Sequence, residues 1–234
     1  MSQISEIITF DKDAIKERAE KYFAKICGFD GKKEEKYKRM LEHALKIRDK
    51  SLDKINVRAL IYSFEGKNLK GKTLTLNGTP FHCNAFEKFR GENIRGIYPY
   101  ILTAGDIQIE DAPVLEIFYA DTWGTAYVDA ARDFLREMIN DKAQSFDRET
   151  KIFVSDSFGP GYYGMETEQI SNFFKVMDAE KIGIKLTKNG MMIPLKSCIG
   201  IYIVTDDETQ LPKVDCRECI SNPGGCQFCR MNKV

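Results

Sequence analysis

Cys216, Cys219, Cys226 and Cys229 make two Cys-x2-Cys pairs with six residues between them. Each pair can present two thiolates to one metal across a tight turn, and Asn222-Pro223-Gly224-Gly225 supplies the reversal that brings the pairs together. Four soft ligands without a neighbouring histidine suit tetrahedral zinc or an iron–sulfur cluster. The spacing leaves both open, with metal-free redox thiols as a third reading. Residues Gly66–Thr73 fit the phosphate-loop pattern GxxxxGK[ST]. That chemistry needs a helix to begin at Lys72-Thr73, so that backbone N–H groups and the helix dipole face the phosphates. Thr73–Gly78 reads instead as a strand and a turn, so a basic hairpin loop is expected. His43 and His82 are the only histidines, which leaves no His-rich metal centre. His82 and Cys83 adjoin on a strand and should point to opposite faces, so no nucleophile–base pair is expected there. In Gly159-Pro160-Gly161-Tyr162-Tyr163-Gly164 the glycines let backbone approach a ligand closely, and the tyrosines offer flat apolar faces with polar tips. Composition alone favours an ordinary tight loop.

Several helices and strands are needed to place these groups. Ile15, Ala19, Tyr22, Phe23 and Ile26 fall on one helical stripe over Asp11–Cys27, with Gly28 as the stop. A second amphipathic helix is expected over Lys33–Arg48, its lysines forming a solvated face. Ile55–Phe64, Thr73–Leu76 and Ile97–Thr103 read as strands, with turns at Asn77-Gly78 and Ala104-Gly105 and a helix near Asn84–Gly91. Asp111–Asp141 is helical, and Gly124 predicts a kink, two abutting helices, or a close contact with another helix. A short strand over Lys151–Ser155 is followed by a helix that Thr167-Glu168-Gln169 opens, and strands over Ile184–Thr187, Met191–Ile193 and Ser197–Thr205 complete the pattern. Strands and helices do not alternate regularly, which predicts an α+β fold with a largely antiparallel sheet flanked by helices. Residues 1–205 are expected to form this domain, with the helices of 1–50 as a cap, and 206–234 a Cys-rich tail.

With 234 residues, 43% of them hydrophobic, the chain can bury a core. Lys plus Arg and Asp plus Glu each total 35, so no field of one sign attracts a polyanion, and no nucleic-acid partner is expected. Met1–Phe10 lacks the basic start and long apolar stretch of a secretory signal, and no apolar run approaches the about 20 residues of a membrane span. A cytoplasmic protein with no membrane partner and mostly reduced thiols is expected. Cys27, Cys83 and Cys198 lie in apolar settings that suit buried fillers.

The order of residues after Ser157 resembles the reactivation domain of cobalamin-dependent methionine synthase. Pro160-Gly161-Tyr162 matches that family's RPxPGY segment, and Thr167-Glu168 its TE before a helix. Gly183-Ile184-Lys185-Leu186-Thr187 matches its GxKLT, Met192-x-Pro194 its MxP, and Ser197-x-x-Gly200-x-Tyr202 its S-x-x-G-x-Y. Asp121–Ala130, the Thr103-Ala104-Gly105 turn and the paired cysteines are similar to stand-alone relatives that accompany corrinoid proteins.

The resemblance implies S-adenosylmethionine (AdoMet) as ligand, with Pro160, Gly161 and Tyr162 lining its site, Tyr202 closing it, and Glu168 following. An acid on the long helix, Asp133 or Asp129, would face the ligand's positive groups. The cobalamin would come from a separate corrinoid protein or methyltransferase, the protein's role being reductive reactivation by methyl transfer, with no protein nucleophile. An iron–sulfur tail would add an electron donor as partner. The family's arginine five residues before the PGY tyrosine is Ser157 here, and serine lacks the charge and the parallel donors that hold a carboxylate. The alternative is therefore a non-catalytic adaptor of the same fold, with a structural metal tail, that binds its partner without AdoMet.

Overall fold

The computed structural model describes residues 4–146 and 149–212. Strand β1 (Ile4–Thr9) leads into helix α1 (Lys12–Ile26), whose N-cap Asp11 accepts from the Asp13 N–H at 3.0 Å. Gly28, with φ +69°, ends the helix as its position demands. Helix α2 (Glu35–Lys50) follows, then β2 (Arg58–Ser63), a small meander of β3 (Leu69–Lys70), β4 (Thr73–Leu76) and β5 (Thr79–His82), and the long strand β6 (Ile94–Gly105). After helix α3 (Val114–Phe146) come β7 (Phe153–Val154), α4 (Ile170–Val176), the hairpin β8 (Lys185–Leu186) and β9 (Met192–Ile193), and β10 (Lys196–Thr205).

The main sheet runs β1-β2-β6-β10-β7 with every neighbour antiparallel. Period-two alternation divides its side chains between two cores. Tyr100, Leu102, Tyr202 and Val204 face the layer of α1, α2 and α3, whereas Ile97, Ile101, Ile201 and Ile203 face the meander, α4 and the 3-10 turns. Two buried faces explain why β6 and β10 read as nearly continuous apolar runs.

Trp123 anchors the helical layer. Its ring stacks on Phe23 of α1 at 4.0 Å between centroids, and its indole N–H donates to the Ala44 carbonyl of α2 at 2.8 Å. Arg48, almost wholly buried, lies over the same ring and is neutralised by Glu20 and Asp49. Thus α1 and α2 share one core with α3.

Four elements differ from the sequence expectation. Strand β1 was not foreseen. Asn84–Lys88 and Gly91–Asn93 form 3-10 turns instead of an α-helix, a form that brings Phe86 and Phe89 together onto Phe158. Helix α3 runs unbroken through Gly124, where a Cβ would come within 2.6 Å of the Lys196 side chain, so the glycine admits a strand residue, not a neighbouring helix. Residues 207–212, expected to begin a tail, stay on the body: Gln210 is buried and bonds Asn93 and the Arg90 N–H. The Gly66–Thr73 segment is a 3-10 turn and a hairpin, with no helix at Lys72, as expected. Among the described residues no helix is long and apolar enough to cross a membrane.

Removing the Phe23 ring leaves a cavity against Trp123. Phe23→Ala is expected to lower stability by about 3–5 kcal/mol, read from denaturant unfolding followed by circular dichroism; a change below about 1 kcal/mol would mean that the helical layer does not depend on this stack.

Candidate functional site

A cleft of about 810 Å³ opens between α3 and the loop that follows β7. Its floor is the pairing of β6 with β10, in which Tyr98 lies opposite Tyr202 and Tyr100 opposite Gly200. Tyr100 and Tyr202, both buried, stack at 5.0 Å with 17° between planes. The Tyr202 hydroxyl donates to the Arg132 carbonyl of α3 at 2.9 Å, which fixes the helix over the sheet. The Tyr100 hydroxyl shares a 2.7 Å hydrogen bond with Ser157. Gly200 makes that bond possible, because a Cβ there would stand 2.2 Å from the Ser157 Oγ.

The loop wall is stitched to β10 by paired backbone bonds between Phe158 and Ile201, at 3.0 and 2.8 Å. Gly159 lets the Ile199 carbonyl approach within 2.6 Å of where its Cβ would be. Gly161 adopts φ +87°, a left-handed turn that glycine enters without strain, and its N–H donates to the Met165 carbonyl at 2.8 Å. Pro160 and Tyr162 face the cleft, Tyr162 being 65% exposed at the mouth beside Leu195.

The helix wall alternates in charge. Asp129 and Arg132, and Asp133 and Arg136, are three residues apart on α3, while Asp129 and Asp133, and Arg132 and Arg136, are four apart, and all four line the cleft. Arg132 pairs with Asp129 at 3.1 Å. Burial raises the Asp129 carboxyl above its ordinary range, against the pull of Arg132. Burial opposes the Arg132 charge as well, but Asp129 and the neighbouring Tyr100, Cys198 and Tyr202 outweigh it and hold the guanidinium above its usual value. Asp133 accepts from the Tyr22 hydroxyl of α1 at 2.5 Å; burial, then this bond, pushes the phenol up to about 12. Arg136 donates to the Val154 carbonyl at 2.7 Å and pairs with Asp156 at 3.4 Å, tying α3 to the start of the loop.

The structure thus brings Pro160, Tyr162, Tyr202, Asp129 and Asp133 together around one cleft, with Gly161 shaping its loop. Glu168 lies exposed in the turn before α4, outside the lining; its neighbour Gln169 makes a two-point clasp on the His82 backbone at 2.7 and 2.9 Å. Sequence reading missed Arg132, although its place three residues after Asp129 is a signal for one helix face. His82 and Cys83 form no dyad: the ring meets Thr73 at 2.9 Å, while the thiol points to the Tyr163 carbonyl and is pushed by burial up to about 11. Cys216, Cys219, Cys226 and Cys229 lie outside the described residues. The cleft can receive a flat ring against the exposed Tyr162 and a zwitterionic group along its helix wall.

No family model matches the chain, and no curated protein matches it in sequence. Among solved structures it is similar to the crystal structure of the MetH reactivation domain bound to AdoHcy, with a TM-score of 0.68 and 13% sequence identity. The likeness covers 87% of this chain and 79% of that one. The chain therefore has the fold of the MetH reactivation domain.

Proposed function

We propose that this protein binds AdoMet in the cleft between α3 and the Pro160–Tyr162 loop and serves the reductive reactivation of cobalamin on a separate corrinoid protein. The observation that carries the reading is the coincidence of three features: a fold shared with an AdoHcy-bound reactivation domain, the PGY loop and Tyr202 on one cleft, and that cleft's size. About 810 Å³ falls within the range of small-molecule sites. Donor chemistry also fits: carboxylates for a sulfonium or ammonium, a guanidinium for a carboxylate, and apolar ring surface for a nucleobase.

When such a ligand is bound, its sulfonium supplies a methyl cation to the cobalt of cob(I)alamin, which an external reductant forms from cob(II)alamin, leaving methylcobalamin and S-adenosylhomocysteine. The chain's own part is positioning. Tyr100 and Tyr202 hold the floor, Gly159 and Gly161 bring loop backbone close, and Asp129 and Asp133 neutralise the ligand's cationic groups. Cys198 lies at the cleft floor, where burial pushes its thiol up to about 12 and keeps it protonated at neutral pH. The four tail cysteines would hold zinc or an iron–sulfur cluster, the second of which would let the tail pass electrons.

One observation favours a second reading, a ligand-free adaptor of the same fold. Ser157 stands where the resemblance calls for an arginine, and its hydroxyl is already engaged by Tyr100.

Calorimetric titration should show saturable AdoMet binding that Tyr162→Ala weakens; no heat from AdoMet or S-adenosylhomocysteine would establish the adaptor instead. With a corrinoid partner poised as cob(II)alamin, reductant and AdoMet, methylation should accelerate when the protein is added, and an unchanged rate would refute the reactivation role. AdoMet affinity should also fall with pH. A charged Asp129 attracts the ligand, so binding is complete above its pKa and is lost as pH falls through it. Because burial raises that pKa, the loss should begin at less acidic pH than an exposed aspartate would give. Asp129→Asn should flatten this profile and weaken binding about tenfold; an unchanged profile would remove Asp129 from the site.

A further inference from the structure

We propose that Arg132 of α3 is the residue that holds the carboxylate of an amino-acid ligand, so that the helix wall supplies the cation that the loop wall lacks. This rests on the cleft being an AdoMet site. Between Lys151 and Lys175 the loop carries no basic residue. Three cations line the cleft: Arg132, Arg136 and Lys196. Lys196 is committed to Asp121 at 2.7 Å and Thr125 at 3.2 Å. Arg136 is committed to the Val154 carbonyl and Asp156. Arg132 pairs only with Asp129 among the described residues, through Nη1, which leaves Nη2 and Nε as a free fork edge. A guanidinium edge with two parallel donors is the complement of a carboxylate.

Placement supports the assignment. The Tyr202 hydroxyl locks the Arg132 backbone to the floor, and Arg132 lines the cleft together with Tyr100 and Cys198. Ser157 is bonded to the same Tyr100, and it and Arg132 line the same cleft. Asp129 lies at its side and can take the ammonium of the same ligand. The Arg132–Asp129 pair, with side chains 34% and 24% exposed, is therefore a ready complement to a zwitterionic α-amino acid. A partly exposed pair of this kind contributes little by itself, so exchanging partners with a ligand costs little.

The test compares AdoMet with its decarboxylated analogue, which keeps the sulfonium, the amine and the nucleoside but lacks the carboxylate. The wild-type protein should prefer AdoMet by about 10- to 100-fold, the worth of a charge-assisted contact. Arg132→Gln should bring the two affinities within about threefold of each other, and Arg132→Lys should restore part of the preference. Because both ligands are measured on the same variant, a general loss of fold would lower both and be seen in the thermal midpoint; the wild-type preference and the Arg132→Lys values then carry the comparison. Retention of the full preference in Arg132→Gln, or its absence in the wild type, would overturn the assignment while leaving AdoMet binding intact. Failure of the wild type to bind either ligand would overturn the AdoMet reading itself.

Discussion

The pairing of β6 with β10 is the constraint on which the rest of the structure depends. Its register sets Tyr100 opposite Gly200 and Tyr98 opposite Tyr202. The missing side chain at 200 leaves room for Ser157 to meet the Tyr100 hydroxyl. A slip of one residue would turn Tyr100 and Tyr202 into the other core and expose isoleucines to the cleft. Both faces of these strands are buried, so packing opposes that slip from each side.

The second organising principle is electrostatic. Four ionic side chains on one face of α3 project into a partly dry space, and each is engaged: Asp129 by Arg132, Asp133 by Tyr22, and Arg136 by Asp156 and a backbone carbonyl. A row of alternating sign lowers the penalty of burying charge without making the cleft strongly positive or negative. Such a wall selects for a molecule that carries both signs, which matches a chain whose acidic and basic residues balance at 35 each.

Much of this was legible in the sequence where one periodicity ruled. The stripe Ile15, Ala19, Phe23 and the apolar runs of β6 and β10 announce their elements, and the family resemblance from Pro160 to Tyr202 points to the loop and strand that border the cleft. The misses have local causes. Strand β1 is a short edge strand, Ile4–Thr9, and the side chains of Ser5–Thr9 are mostly exposed, so it carries little amphipathic signal. Asn84–Lys88 has helix-forming residues, but Phe86 and Phe89 must reach Phe158 together, and tertiary packing decides the tighter turn. Gly124 looks like a breaker because its contact, Lys196, is distant in sequence. Arg132 escaped for a related reason: reading along the chain sought a cation on the loop, whereas the fold brings one from a helix about 25 residues earlier.

The hydrogen bond from Tyr22 to Asp133 joins the first helix to the wall of the cleft. Together with the indole bond of Trp123 to the second helix, it places α1 and α2 in one thermodynamic unit with the binding surface. Local opening of α1 must therefore release a carboxylate at the cleft, and a ligand that orders Asp133 must in turn suppress that opening. Occupancy of the cleft and amide-exchange protection of the N-terminal helices become linked quantities, readable from either end.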